Sequence, residues 1–188
     1  MDARGGHIIN FWWLPVEYWV AAAREMKRTD AEVDRIRELF KNYTLLGVLD
    51  VQLQPDGRVD GLSTVEIVRR AEIEVNGATF EVLKQVDPKL QEYVPDLSYV
   101  LQASLSSLGT SLRLLPLANL GSDSKPILRG DQKGLIKLRY KARADEEPIE
   151  FWWHGPLTDV VGSRTCPGSG EPMEASWEYC PWNGRKAP

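Results

Sequence analysis

Asn76-Gly77 stands between two alternating apolar runs, and that pair constrains this chain more than any other local feature. A two-residue hairpin turn needs positive φ at both central residues, which Asn and Gly tolerate best. With these two as the turn, Val75 faces Ala78, Ile73 faces Phe80 and Ala71 faces Val82, so one face of the hairpin is apolar throughout. The odd-numbered period continues backwards through Ile67 and Val65. It predicts strand there, against the helix start that Ser63-Thr64-Val65-Glu66 imitates.

Either side of this hairpin the period changes. Ile8 to Leu14 reads as a short strand or extended arm, and Pro15 suits the first turn of a helix over Val16 to Lys27. Thr29-Asp30-Ala31-Glu32 is a capping box, and Val33, Ile36, Leu39 and Phe40 follow at helical spacing, which predicts a second helix from Asp30 to Asn42. Leu45, Leu49, Val51 and Leu53 then share one strand face, with Asp50, Gln52 and Gln54 on the other. Pro55-Asp56-Gly57 turns the chain back into a partner strand at Val59. Pro88 and Pro95 bracket a connecting piece, and Asp96 is the expected N-cap of a helix reaching Leu108, stopped by Gly109. Leu112 to Leu117 is apolar enough for a buried strand, and residues 121–126 form a loop. Ile136, Leu138 and Tyr140 alternate with Lys137, Arg139 and Lys141; a turn at Ala144 to Glu147 leads into Ile149, Phe151 and Trp153 as a second antiparallel hairpin. Runs of strands separated by runs of helices predict an α+β domain over residues 8–155, a largely antiparallel sheet covered by helices, with a small appendage over 156–188.

The composition, 43% hydrophobic and 27% charged in 188 residues, allows one main core plus that appendage. A net charge of −4 argues against a general polyanion binder, although Arg69, Arg70, Lys137, Arg139, Lys141 and Arg143 make a local basic strand face. Ile8 to Ala23 superficially resembles a signal peptide. Asn10, Pro15 and Glu17 interrupt it, and it is too short to span a bilayer. With two cysteines and no disulfide framework, the expected compartment is the cytoplasm.

Cys166-Pro167-Gly168-Ser169-Gly170 and Cys180-Pro181-Trp182-Asn183-Gly184 resemble a pair of zinc-ribbon knuckles, in which Cys-Pro-x-Cys-Gly occurs twice. Ser169 and Asn183 stand where the second cysteines belong, so the resemblance is to a degenerate ribbon over about residues 165–184. It implies that Pro167 and Pro181 keep the turns and that Trp177, Tyr179 and Trp182 pack the module against itself or the main domain. Three states are open to Cys166 and Cys180. Free thiols left by ligand loss are preferred; the others are a mutual bridge and a zinc ion completed by His154, Glu171 or another subunit. Apart from that zinc, no cofactor is implied.

Only His7 and His154 are available for acid–base work, which removes most nucleophilic designs; a Cys166–His154 dyad lacks an orienting third group. Asp145-Glu146-Glu147 reads as a solvated turn, and no phosphate-binding glycine loop follows a strand. Phe11-Trp12-Trp13 recurs as Phe151-Trp152-Trp153. Such segments bury some rings, and adjacent tryptophans also leave rings outside as a partner surface. The expectation is a non-catalytic adaptor subunit of a larger assembly or a homodimer, binding through Trp12, Trp13, Trp152 and Trp182. Two alternatives stand beside it: an enzyme or ligand sensor with a pocket between sheet and helix near Asp96 to Leu108, and nucleic-acid binding through Lys137 to Arg143 with Arg185-Lys186.

Overall fold

A computed structural model describes residues 6–120, 128–143 and 146–187. The loop expected at 121–126 and the Ala144-Asp145 half of the second turn lie outside the described residues. Strand β1 (His7–Leu14) leads through Pro15 into helix α1 (Val16–Glu25), and Thr29 caps α2 (Asp30–Leu39). The capping box forms in both directions, with Glu32 N donating to Thr29 Oγ1 at 3.3 Å and Thr29 N to the Glu32 carboxylate at 2.8 Å.

Strand β2 (Tyr43–Leu53) is the centre of the first sheet. It pairs antiparallel with β1 on one side and with the short β3 (Val59–Gly61) and, further on, β6 (Arg113–Ala118) on the other. Its even-numbered face, expected to be polar, is not solvated. Leu46 and Val48 join the main core there, and Asp50 is 3% exposed beneath a second sheet. That sheet runs β5-β4-β7-β8, from β4 (Ala71–Val75), β5 (Ala78–Phe80), β7 (Gly134–Tyr140) and β8 (Ile149–Gly155). The Asn76-Gly77 turn has φ of 50° and 83°, and Val75 faces Ala78 and Ile73 faces Phe80 as the turn dictates. The pairing stops there: Val82 bridges to Leu117 and Ala71 pairs with Tyr140.

Two helical segments depart from the sequence reading. Residues Thr64–Arg70 form a helix, α3, not a strand. The Ser63–Glu66 box closes in both directions, Ile67 is buried and Val65 is 59% exposed, so the odd-numbered period from 65 to 75 joins a helix and a strand by coincidence. Helix α4 starts at Pro88, capped by Asp87, and runs to Ser104 straight through Pro95. An internal proline costs about 3 kcal/mol. Leu90, Val94, Leu97 and Leu101 continue one apolar stripe across it against the first sheet; Leu90 is fully buried and the other three partly, and their burial together offsets that cost at ~1.5–3 kcal/mol for a fully buried side chain and less for a partly buried one. A 3₁₀ turn (Ser106–Ser111) then leads into β6.

The chain is therefore a mixed α+β fold in which helices cover one face of the first sheet and the second sheet covers the other. Phe11 lies 5.0 Å from Tyr140 and 4.7 Å from Phe151, ring to ring, across the two sheets. After β8 a one-turn helix α5 (Thr158–Val161) leads into the C-terminal segment, where β9 (Arg164–Thr165) pairs with β10 (Pro172–Met173). No described helix is long and apolar enough to cross a membrane.

Candidate functional site

The C-terminal segment is built around a bond between Cys166 and Cys180, whose Cα atoms are 5.3 Å apart. This corrects the zinc-ribbon expectation and the preference for free thiols. Each sulfur is committed to the other, and no group of three or more His, Cys, Asp or Glu side chains among the described residues is placed to hold a metal ion. Asn183 is also engaged: its amide nitrogen donates to Pro167 O at 2.7 Å and its oxygen accepts from Arg185 N at 3.0 Å. His154 is on β8, its ring parallel to that of Trp152 at 6.4 Å.

Two tight turns flank the bridge. Gly170 N donates to Cys166 O and Gly184 N to Cys180 O, while Cys166 N and Cys180 N donate to Glu171 O and Arg185 O. Only small or flexible side chains fill the inside: the two cysteines and Met173, with Ala187 packed against them. The rings expected to pack the segment against itself or the main domain are exposed. Trp177, Tyr179 and Trp182 are 41%, 57% and 53% exposed, and the two indoles meet at 6.4 Å and 62°. Glu178 sits among them and is held by Lys133 at 2.9 Å, which keeps its carboxyl below the usual carboxylate range and ties the segment to the start of β7. Thr158 makes the second tie, donating to Glu174 and accepting from Ala175 N.

The other tryptophans named from the sequence divide by strand face. Trp13 is 8% exposed in the core between the sheets, with Nε1 donating to Thr44 Oγ1 at 2.9 Å. Trp12, one residue earlier, lies under the helices. Trp152 is 46% exposed on the outer face of the second sheet, with the Lys137 ammonium 4.5 Å above its ring. Trp152 and Trp182 are thus surface rings, while Trp13 is a core ring.

Three further places bring polar groups or concave surface together. Between the sheets, Asp50 receives hydrogen bonds from His7 Nε2 at 2.7 Å and from the Tyr140 hydroxyl. Burial, and then the Asp50 bond, push the Tyr140 phenol well above its ordinary value; the nearby Arg70 opposes this. Sequence reading placed Asp50 on a solvated face. Its position amid Leu49 and Val51 in a long apolar strand was the one available signal of a buried carboxylate. A small apolar pocket of about 190 Å³ lies between the first sheet and the end of α4, walled by Trp12, Leu14, Tyr18, Leu101 and Leu105. It opens over Gly47, where a Cβ would come within 3.3 Å of Leu14 Cδ1. A broad depression of about 940 Å³ beside α1 and α2 holds charges that are mostly matched to each other: Arg129 with Asp131 and Glu17, Arg37 with Asp34, and Lys41 with Glu38.

Comparison of the chain with known protein families, with curated proteins and with solved structures finds no match.

Proposed function

We propose that this protein is a binding module that engages a protein partner through the aromatic surface of its disulfide-tied C-terminal segment. The observation that carries the reading is the exposure of Trp177, Tyr179 and Trp182 together on backbone fixed by the Cys166–Cys180 bond. Tryptophan and tyrosine dominate binding hot spots because each buries a large area with few rotatable bonds. Fixing their backbone in advance lowers the ordering entropy that association costs. The tail core is filled by Cys166, Met173 and Cys180 without these rings, which stay exposed, so burial in it does not account for them. The bridge also supports an oxidising compartment in place of the cytoplasm expected from composition, since reducing pools keep such thiols open.

The test compares the native chain with a Trp177→Ala/Trp182→Ala variant for partner capture and, over a concentration series in sedimentation velocity, for self-association. Loss of a defined partner or of a dimer in the variant, with unchanged circular dichroism, supports the reading. Equal binding by both proteins removes it.

A second reading, a sensor of a small apolar ligand, is favoured by the pocket above Gly47. A cavity of about 150 Å³ accommodates benzene, so small aromatic compounds of one or two rings, such as indole, suit this slightly larger one. Chemical-shift changes confined to Trp12, Tyr18 and Leu101 on adding indole would identify it.

A further inference from the structure

The outer face of the second sheet has a feature that the aromatic surface does not use. Where α3 ends against β7, Arg69, Arg70, Arg139 and Lys141 converge on a recess of about 340 Å³ that also holds Glu72 and Glu147. Four cations against two carboxylates leave a surplus of two positive charges, in a chain whose net charge is −4. Part of this has a plain structural cause. Arg69 and Arg70 fall in the last turn of α3, where cations offset the helix dipole, and Arg139 is the middle rung of a cross-strand ladder between Glu72 at 3.3 Å and Glu150 at 3.6 Å. That accounts neither for Lys141 nor for the convergence.

The recess is held in shape from below. Arg70 donates to Ala142 O at 2.6 Å and lies beside Tyr140, which is locked to the buried Asp50 and through it to His7. Lys141 N donates to Arg70 O at 3.0 Å, joining the two walls. Against this fixed floor the side chains of Arg69 and Lys141 make no hydrogen bond or close ion pair among the described residues, although Glu66 feels the charge of Arg69, and Arg139 Nε faces the Glu150 carboxylate at 3.6 Å, beyond hydrogen-bonding distance. Guanidinium forks and a mobile ammonium around a concave site match the tetrahedral oxygens of a phosphate.

We propose that this recess binds a small phosphate monoester, a dianion, and is a ligand site separate from the aromatic surface. Its volume is at the small end of the ~300–1,000 Å³ range of small-molecule pockets. A nucleic acid fits less well. An extended polyanion following β7 would meet Glu74 and Glu150 on the neighbouring strands, and Lys137 is already engaged by Glu150 at 2.8 Å.

Phosphorus-31 NMR and calorimetry at low salt, with inorganic phosphate and phenyl phosphate as probes, test the proposal. Saturable binding of both is expected, weakened about tenfold or more by Lys141→Gln and by Arg69→Gln. Arg143→Gln, outside the recess, should leave it unchanged. Both recess residues are exposed, so circular dichroism should not move. Absence of saturable binding at millimolar phosphate, or binding indifferent to both substitutions, overturns the site. Binding of a single-stranded RNA oligomer that the same substitutions abolish, with no phosphate binding, overturns it in favour of a nucleic-acid surface.

Discussion

The space between the two sheets is the main core and the interior of the C-terminal segment a small one; both have aromatic neighbours, and they are held by opposite means. Between the sheets, Phe11, Trp13, Phe151 and Tyr140 turn their rings inward, and buried Asp50 and Thr44 accept from the Tyr140 hydroxyl and the Trp13 indole nitrogen that come with them. In the tail the rings turn outward, and a covalent bond with Met173 beside it occupies the inside. A body that buries its rings gains hydrophobic stability from them. A segment closed by a disulfide has no such need, because the bridge limits the unfolded state in place of burial. The difference frees the tail rings for contact with something else.

Substitutions in the body should produce the largest effects. Leu138 is fully buried between the sheets, and Leu138→Ala should cost about 2–5 kcal/mol from lost transfer energy plus a cavity. Urea denaturation would show the midpoint fall with little change in slope. A cost under 1 kcal/mol would mean that the two sheets are not packed on each other.

Opening the Cys166–Cys180 bridge sharpens the contrast. A loop of this length, with a sequence separation of 14, is constrained by about 3 kcal/mol in the chain-entropy account. Cys166→Ser/Cys180→Ser should therefore loosen the tail locally. In hydrogen exchange, the amides of Gly170 and Gly184 should lose protection while those of β2 and β7 keep theirs. Parallel loss in both regions would show that tail and body unfold as one.

Tyr140→Phe breaks the polar contact inside the body and should cost about 1–3 kcal/mol, the desolvation left on Asp50. Its pH signature has a definite sign. The folded phenol binds its proton more tightly than the unfolded one, so its contribution is complete below pH 10 and is lost as pH rises through the elevated folded value. The native protein should weaken above pH 10, and the variant should weaken less over the same range.

How far the sequence was legible follows the range of the interaction involved. The Asn76-Gly77 turn and the Thr29 box are set by neighbours in sequence, and both formed as expected. Asp50 and α4 depend on what packs from elsewhere. No local pattern announces that a second sheet will close over Asp50, or that a stripe from Leu90 to Leu101 will carry a helix through Pro95. The exception is α3, where the local signal was correct and a longer apparent period outweighed it. Ser63→Ala tests that cap directly and should cost about 1 kcal/mol. The Glu66 carboxyl, held low by its Ser63 bonds, contributes above pH 4.5 and loses that contribution as pH falls through its lower folded value. The candidate surface was half legible: Trp182 was named for a partner, yet it was also grouped with Trp177 and Tyr179 as packing the segment against itself or the main domain, and all three are exposed around a core of Cys166, Met173 and Cys180.

Trp182→Ala should give the smallest stability change. Its ring is 53% exposed and meets that of Trp177 at 6.4 Å, so stability should change by no more than ~0.5 kcal/mol, the range of ordinary surface substitutions. Trp13→Ala, an identical change of side chain, removes a core ring and its bond to Thr44 and should cost about 3–5 kcal/mol. The pair measured side by side by urea denaturation separates rings that hold the fold from rings available to a partner. If Trp182→Ala were as damaging as Trp13→Ala, the tail aromatics would be structural after all, and the binding role assigned to them would fall with the contrast that supports it.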